Sequence, residues 1–221
     1  MANSDQMRER LRRALAYPYA APARSFVQVG ARTLELSAEG FDPSGRRPLL
    51  AYGSNAAPEA LTRKLAPEPA TALPLVRAAL SDFDVVYSAH VSPYGAVPAT
   101  LHRSPGTTVT VFVAFPTERQ RALLSASEPN YEERCLEGIA CDPELGEPLT
   151  AIDAFLSRHG CLRLGDSEIA LSAVPARARG LPALAEPEVL ERVRAALTPQ
   201  LSLEQFVEEA VLTGGRPITP Q

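Results

Sequence analysis

Two segments of this chain combine residue types that can hold a small polar ligand and move a proton on it. The first is Leu49-Leu50-Ala51-Tyr52-Gly53-Ser54-Asn55, an apolar run ending in Gly-Ser-Asn ahead of a helix with Pro58 near its start. A strand that stops this way at a helix N-terminus turns several backbone N–H groups toward one point. The helix dipole adds to their attraction for a carboxylate or an oxyanion. Gly53 lets the backbone turn and approach a ligand closely. Ser54 and Asn55 add short polar side chains, which would equally serve to cap the helix in an ordinary strand-to-helix turn. The second segment is Leu124-Ser125-Ala126-Ser127-Glu128-Pro129-Asn130-Tyr131. Glu128 falls at the C-terminal end of a predicted helix, where the negative end of the dipole disfavours a charged carboxylate. That setting suits a group that must accept a proton and return it, although a glutamate at a helix end is also an ordinary solvated residue.

The elements around these segments follow from periodicity. Met7, Leu11 and Leu15 recur every four residues and predict a short amphipathic helix, followed by a Pro/Ala linker from Tyr17 to Arg24. Phe26 to Ser37 and Pro48 to Tyr52 read as strands, and Pro58 opens a helix carrying Leu61 and Leu65. The middle third predicts strands at 75–80, 83–91, 97–101 and 107–115, the later ones separated by turn residues at Ser92-Pro93 and Ser104-Pro105-Gly106. Thr117-Glu118-Arg119-Gln120 is a capping box, and Pro129 ends the helix it opens. Further strands are expected at 131–140, 150–156 and 168–174, then helices at 187–197 and 202–212. The strands do not alternate regularly with helices, which predicts an α+β fold over a doubly wound sheet. The expected organisation is an N-terminal helix and linker over 1–24, a barrel domain over 25–175, and a helical segment over 176–221 packed on it.

Tyr52-Gly53-Ser54-Asn55 after an apolar strand resembles the signature of γ-glutamylcyclotransferase-like proteins. In that family an apolar strand, a helix and a Leu-Asp-x-x-Glu-Gly segment with a tyrosine follow downstream. Here Val109 to Phe115, the helix from Thr117, Leu124 to Glu128 and Tyr131 occur in that order, and Gly95 to Leu101 is similar to the family's glycine-containing strand. The resemblance covers roughly 48–140 and implies a mixed β-barrel with surrounding helices and a helical C-terminal extension. It also implies Glu128 as general acid/base, with Tyr52, Gly53, Ser54, Asn55 and Tyr131 binding the γ-glutamyl portion of a substrate. The implied reaction cyclises a γ-glutamyl compound to 5-oxoproline and releases an amine or amino acid, with no metal or organic cofactor. The alternative is a module that binds such a metabolite in the same pocket without turning it over. Three positions depart from the family's pattern: Ser125 stands where it has Asp, Pro129 where it has Gly, and Ala56 where an apolar residue is common.

Composition narrows the partners. The 221 residues are 45% hydrophobic and 22% charged, ordinary for a globular protein. A formal net charge of −4 argues against a nucleic-acid partner, which needs clustered positive charge. No apolar run is long enough for a membrane span, and the N-terminus has no signal-peptide pattern, so a cytoplasmic location is expected. Cys135, Cys141 and Cys161 are odd in number and widely spaced, forming neither a disulfide framework nor a zinc signature. His159 and Cys161 raise a cysteine-nucleophile alternative, but no flanking residues resemble a known elbow. His90, His102 and His159 lack metal-ligand spacing. Phe206, Val207, Ala210 and Val211 form a helical face suited to the core or to a second copy, which leaves a homodimer open. Lys64 is the only lysine among 22 basic residues, which reads as the codon bias of a GC-rich bacterial genome.

Overall fold

The structure is a computed structural model and describes residues 2–218. Two short strands, β1 (Phe26–Val29) and β2 (Arg32–Glu35), form a hairpin around Gly30, where φ is 55°. The sequence expectation of one strand there fails because Gly30 takes the left-handed conformation and reverses the chain. Next come β3 (Leu49–Ala51), β4 (Leu73–Tyr87), β5 (His90–Val91), β6 (Ala99–Ala114), β7 (Tyr131–Pro143) and β8 (Leu149–Ser157).

Pairing among five of these strands runs in a ring. β4 pairs with β6, β6 with β3, β3 with β8, β8 with β7, and β7 with β4. Only β3–β8 is parallel, so the barrel is mixed. Closure leaves these strands without a free edge, the usual liability of an open sheet. Alternation along each strand decides what fills the barrel. Leu50, Val76, Ala78, Leu80, Val109, Val111, Val113 and Ile152 belong to one buried cluster. Their alternate neighbours Leu49, Leu73, Leu75, Phe112 and Ala114 belong to a second, with Leu61, Leu65 and Leu124 from the helices. The α+β barrel with surrounding helices is therefore as expected.

Several boundaries differ from the sequence reading. The segments expected as four strands over 75–115 form two long ones and the two-residue β5. Asp82 adopts φ 62° and the register slips between Ser81 and Phe83, so β4 bends at a bulge without ending. Opposite it, Ser104-Pro105-Gly106 bulges out of β6, and Gly106 N–H donates to Asp82 Oδ1 at 2.8 Å. Of the strand expected over 168–174, only Ala170–Leu171 pairs with the barrel, through Val86.

Five α-helices surround the barrel: α1 (Ala2–Leu15), α2 (Pro58–Lys64), α3 (Glu118–Ala126), α4 (Glu186–Leu197) and α5 (Leu203–Thr213). Thr117 and Ser202 make the two capping boxes expected from sequence. None of the helices is long and apolar enough to cross a membrane, among the described residues. The chain after Val174 is held to the barrel by more than helix packing. Ala176–Arg177 pairs with β6, and Arg216–Pro217 pairs with β5. Arg179 donates twice to the fully buried Asp84, at 2.8 and 2.9 Å.

α4 and α5 also shape the loop at 92–98. Val97 N–H donates to Glu186 Oε1 at 2.7 Å, while the other oxygen of this buried carboxyl has no partner among the described residues. Gly95, at φ 88°, sits so close to α5 that a Cβ would fall 2.7 Å from Val207 Cγ1. Burial pushes the Glu186 carboxyl well above its ordinary 4.5, against the smaller opposing pull of the Val97 N–H. A raised carboxyl stays protonated in the fold at pH values where the unfolded chain has ionised, so stability falls as pH rises through that window. Equilibrium denaturation across pH should show the parent losing stability relative to Glu186→Gln above pH about 4.5, by up to about 1.4 kcal/mol per pH unit. Parallel pH curves for the two proteins would show that Glu186 is ionised in the fold.

Candidate functional site

β3 stops at Ala51, and the chain leaves the barrel through Tyr52 and Gly53 into a 3-10 turn, Ser54–Ala56. α2 starts only at Pro58, with Ala57 as its N-cap and no side-chain cap. Ser54 and Asn55 therefore do not cap α2, contrary to the simpler reading of the motif. They reach the far end of that helix instead: Lys64 Nζ donates to Ser54 Oγ at 3.3 Å and to Asn55 Oδ1 at 2.7 Å.

Glu128 arrives from the other side. α3 ends at Ala126 with Ser127 as its C-cap, and Tyr131 N–H donates to the Glu128 carbonyl at 3.0 Å. Pro129 and Asn130 are thus the middle of a tight turn, whose fixed φ at proline sets Glu128 just beyond the helix. Its carboxylate meets the first segment directly. Asn55 Nδ2 donates to Glu128 Oε1 at 3.1 Å, and Lys64 Nζ approaches the same oxygen at 2.5 Å. Both partners fall on Oε1, leaving Oε2 with no protein partner among the described residues. Glu128 and Lys64 side chains are only 14% and 17% exposed, so this is a shielded contact rather than a surface pair.

Asn55 and Glu128 line a cavity of about 340 Å³ at the end of the barrel. Every site residue expected from sequence borders it: Tyr52, Gly53, Ser54, Asn55, Glu128 and Tyr131. Two further tyrosines, Tyr17 and Tyr94, complete an aromatic wall that the sequence reading did not include. Tyr17 lay in a segment read as a linker, and its only signal was an aromatic residue among small ones. Its hydroxyl accepts from Ala99 N–H at 2.8 Å, while Tyr131 donates to the Ala99 carbonyl at 2.8 Å. Tyr52 donates to the Phe155 carbonyl. Burial foremost pushes all four phenols up, with nearby phenols or the Glu128 charge adding to it, so they remain neutral donors.

Lys64 is the residue of the candidate site that sequence reasoning set aside. Its one available signal was its singularity, a lysine where the chain elsewhere uses arginine. A compact ammonium reaches three oxygens at once, where a planar guanidinium would not fit as well.

The other candidates separate from the carboxylate. Ser125, the departure from the family's Asp, donates to Glu133 Oε2 at 3.1 Å, and Glu133 pairs with the buried Arg121. Glu132 pairs with Arg134 at 2.8 Å. His90 does border the cavity, with Nδ1 2.7 Å from Ser88 Oγ. Burial and the neighbouring His159 push it down to about 3, leaving a neutral imidazole. Cys161 lies 3.7 Å from His102 Nδ1, but burial pushes its thiol up to about 11 and it does not line the cavity. A protonated thiol outside the cavity is a poor nucleophile.

No protein-family model matches the chain, and no curated protein matches it. Among solved structures it is similar to an allophanate hydrolase from Kluyveromyces lactis, with TM-score 0.39 and 14% identity over 59% of this chain. The chain spans only 20% of the length of that protein. It is also similar to a gamma-glutamyl cyclotransferase, with TM-score 0.38 and 18% identity, covering 74% of this chain and 98% of the other. An uncharacterized Homo sapiens protein gives TM-score 0.38 and 16% identity over 73% and 86% of the two chains. At these TM-scores the likenesses carry no argument for what this chain binds or does.

Gly53 is the tightest point of the site. A Cβ there would lie 2.6 Å from the Tyr17 hydroxyl and 3.4 Å from Ala99 Cβ. Its φ of −121° lies outside the left-handed region that favours glycine, and the nearby Tyr17 hydroxyl makes a requirement for space. Gly53→Ala should displace the hydroxyl, orphan the Ala99 N–H, and cost about 1–3 kcal/mol in urea denaturation. Adding Tyr17→Phe should recover part of that loss, and strictly additive costs would place the clash elsewhere.

Proposed function

We propose that this cavity cyclises a γ-glutamyl compound to 5-oxoproline and releases the attached amine or amino acid, with Glu128 as general acid/base. The observation that supports it best is the Asn55–Glu128 contact, which joins two segments 73 residues apart at one shielded cavity. A γ-glutamyl compound carries its own nucleophile, so the protein's tasks are to fold the substrate, exclude water and relay protons from the attacking nitrogen to the departing one.

In this reading Glu128 Oε2 takes a proton from the α-ammonium. The freed amine attacks the γ-carbonyl, forming the ring C–N bond. Glu128 gives that proton to the amide nitrogen as the intermediate collapses and the amide C–N bond breaks, and the regenerated carboxylate then carries the ring nitrogen's second proton to the departing amine, which leaves as an ammonium. Lys64 and Asn55 fix Oε1 and leave Oε2 to face the reacting nitrogen. The N–H groups that open the Ser54–Ala56 turn have no intrahelical acceptor by geometry, and would steady charge on the substrate. The four neutral phenols offer a wall that is polar yet uncharged.

One observation favours a second reading, a module that binds such a metabolite without turning it over. Lys64 Nζ lies 2.5 Å from Glu128 Oε1, so an ammonium already stands against the carboxylate that a substrate ammonium would seek. Glu128→Gln separates the two. A catalyst should lose at least about a hundredfold in 5-oxoproline release, the ordinary contribution of a positioned acid/base, while retaining ligand binding by calorimetry. Release at the parent rate would remove Glu128 from the chemistry. Binding without release in the parent protein would establish the module.

A further inference from the structure

Beside the cavity lies a second, more open depression of about 440 Å³, and the two share Ser54, Tyr94, Ala126 and Ser127 along their common border. Its lining carries three cations, Arg13, Arg63 and Lys64, and no carboxylate. Lys64 faces Glu128 at 2.5 Å and Arg63 pairs with the exposed Glu59 at 2.6 Å, both acids standing outside the lining. Arg13 differs. Its guanidinium lies over the Tyr94 ring, 5.3 Å from the centroid, it forms no ion pair among the described residues, and its buried Nε has no hydrogen-bond partner. Arg63 similarly lies over Tyr19 at 5.1 Å. Each ring holds its guanidinium plane in place, which lowers the entropy lost when an anion docks. Arg13 Nε and the Tyr19 hydroxyl are two of five buried polar atoms without a hydrogen-bond partner among the described residues, and these two belong to the lining of this one depression, where a ligand would supply the acceptor.

We propose that this depression receives an oxyanion, a carboxylate or a phosphate, carried by the amine that departs from the γ-glutamyl substrate. The inference rests on the cyclisation reading for the placement of the γ-glutamyl portion in the first cavity. Continuity of the two spaces at Ser54 and Tyr94 sets the leaving portion beside Arg13. The substrate class is therefore a γ-glutamyl amino acid or a γ-glutamyl amine bearing phosphate, in preference to a neutral γ-glutamyl amine. The N-terminal helix is then part of the substrate site, held to the body by the Arg10–Glu208 ion pair at 2.6 Å.

The test measures binding on the full-length Glu128→Gln protein by calorimetry with three ligands: γ-glutamylglycine, γ-glutamylaminoethyl phosphate and the neutral γ-glutamylglycinamide. At least one anionic ligand should bind about tenfold more tightly than the amide, as one charge-assisted contact gives, and the tighter of the two names the oxyanion. Arg13→Met in that background should erase the advantage and leave amide binding unchanged. Arg63→Met, at a more exposed position, should reduce it and guards against an Arg13 variant that fails to fold. Equal binding of all three ligands, no binding at all, or an equal loss for all three in both arginine variants would overturn the proposal. Turnover of the same ligands by the parent protein keeps the two readings apart. Anion preference without 5-oxoproline release would remove cyclisation and keep the oxyanion site. Release at equal rates from all three would do the reverse.

Discussion

A strand of three residues, Leu49–Ala51, closes the barrel, and the arrangement of the site follows from where that strand stops. It is wedged between β6 on one side and β8 on the other, antiparallel to the first and parallel to the second. Residues flanked on both sides must satisfy their backbone groups in two directions, so the strand cannot shift without opening the ring. Tyr52 and Gly53 are consequently delivered to one fixed place at the barrel's end. There the Tyr17 hydroxyl fills the space a Cβ at Gly53 would need, and bonds the Ala99 N–H that starts β6. The loop, the first residue of β6 and the segment after α1 are thus locked by a single phenol.

That lock explains which parts of the molecule were legible in the sequence. Leu50 and Leu49 separate into the two apolar clusters by strict alternation, and so do Val113 and Phe112. Short-range period therefore gave the strands, and the two capping boxes at Thr117 and Ser202 gave helix starts to the residue. Turn chemistry was less transferable. Ser104-Pro105-Gly106 has every mark of a strand break, yet the ladder resumes beyond it because Asp82 bulges opposite and accepts Gly106 N–H. Gly30 lies within an apolar alternation that reads as one strand, and a left-handed φ turns it into a hairpin. Both outcomes depend on a partner strand or a backbone angle that no window of neighbouring residues encodes.

The site divides along the same line. Tyr52 to Asn55, Glu128 and Tyr131 were recognisable because residue type and chain order carry the signal. Lys64 was not, because its importance lies in what it touches: Ser54, Asn55 and Glu128 across 64 positions of sequence. Tyr17 and Tyr94 were hidden for the same reason. Periodicity can place an ammonium on the last turn of α2 but cannot tell which of its neighbours is a carboxylate. Ser54 and Asn55 show the converse error, for their composition suggests capping while the intervening 3-10 turn aims them at the lysine.

The Lys64–Glu128 pair also constrains how any proton could move here. A shielded carboxylate without a partner would be costly, and the ammonium offsets that cost at Oε1. The same contact holds the carboxylate in one orientation, since Asn55 donates to the oxygen the lysine already engages. Oε2 then has no protein partner among the described residues, and the carboxylate's orientation is set before a ligand arrives. Around it stand phenols that burial keeps neutral and an imidazole that burial keeps uncharged. Glu128 is the one carboxylate on the lining of this cavity among the described residues. The proposed reaction, proton transfer from a ligand's own ammonium followed by ring closure within that ligand, suits such a wall.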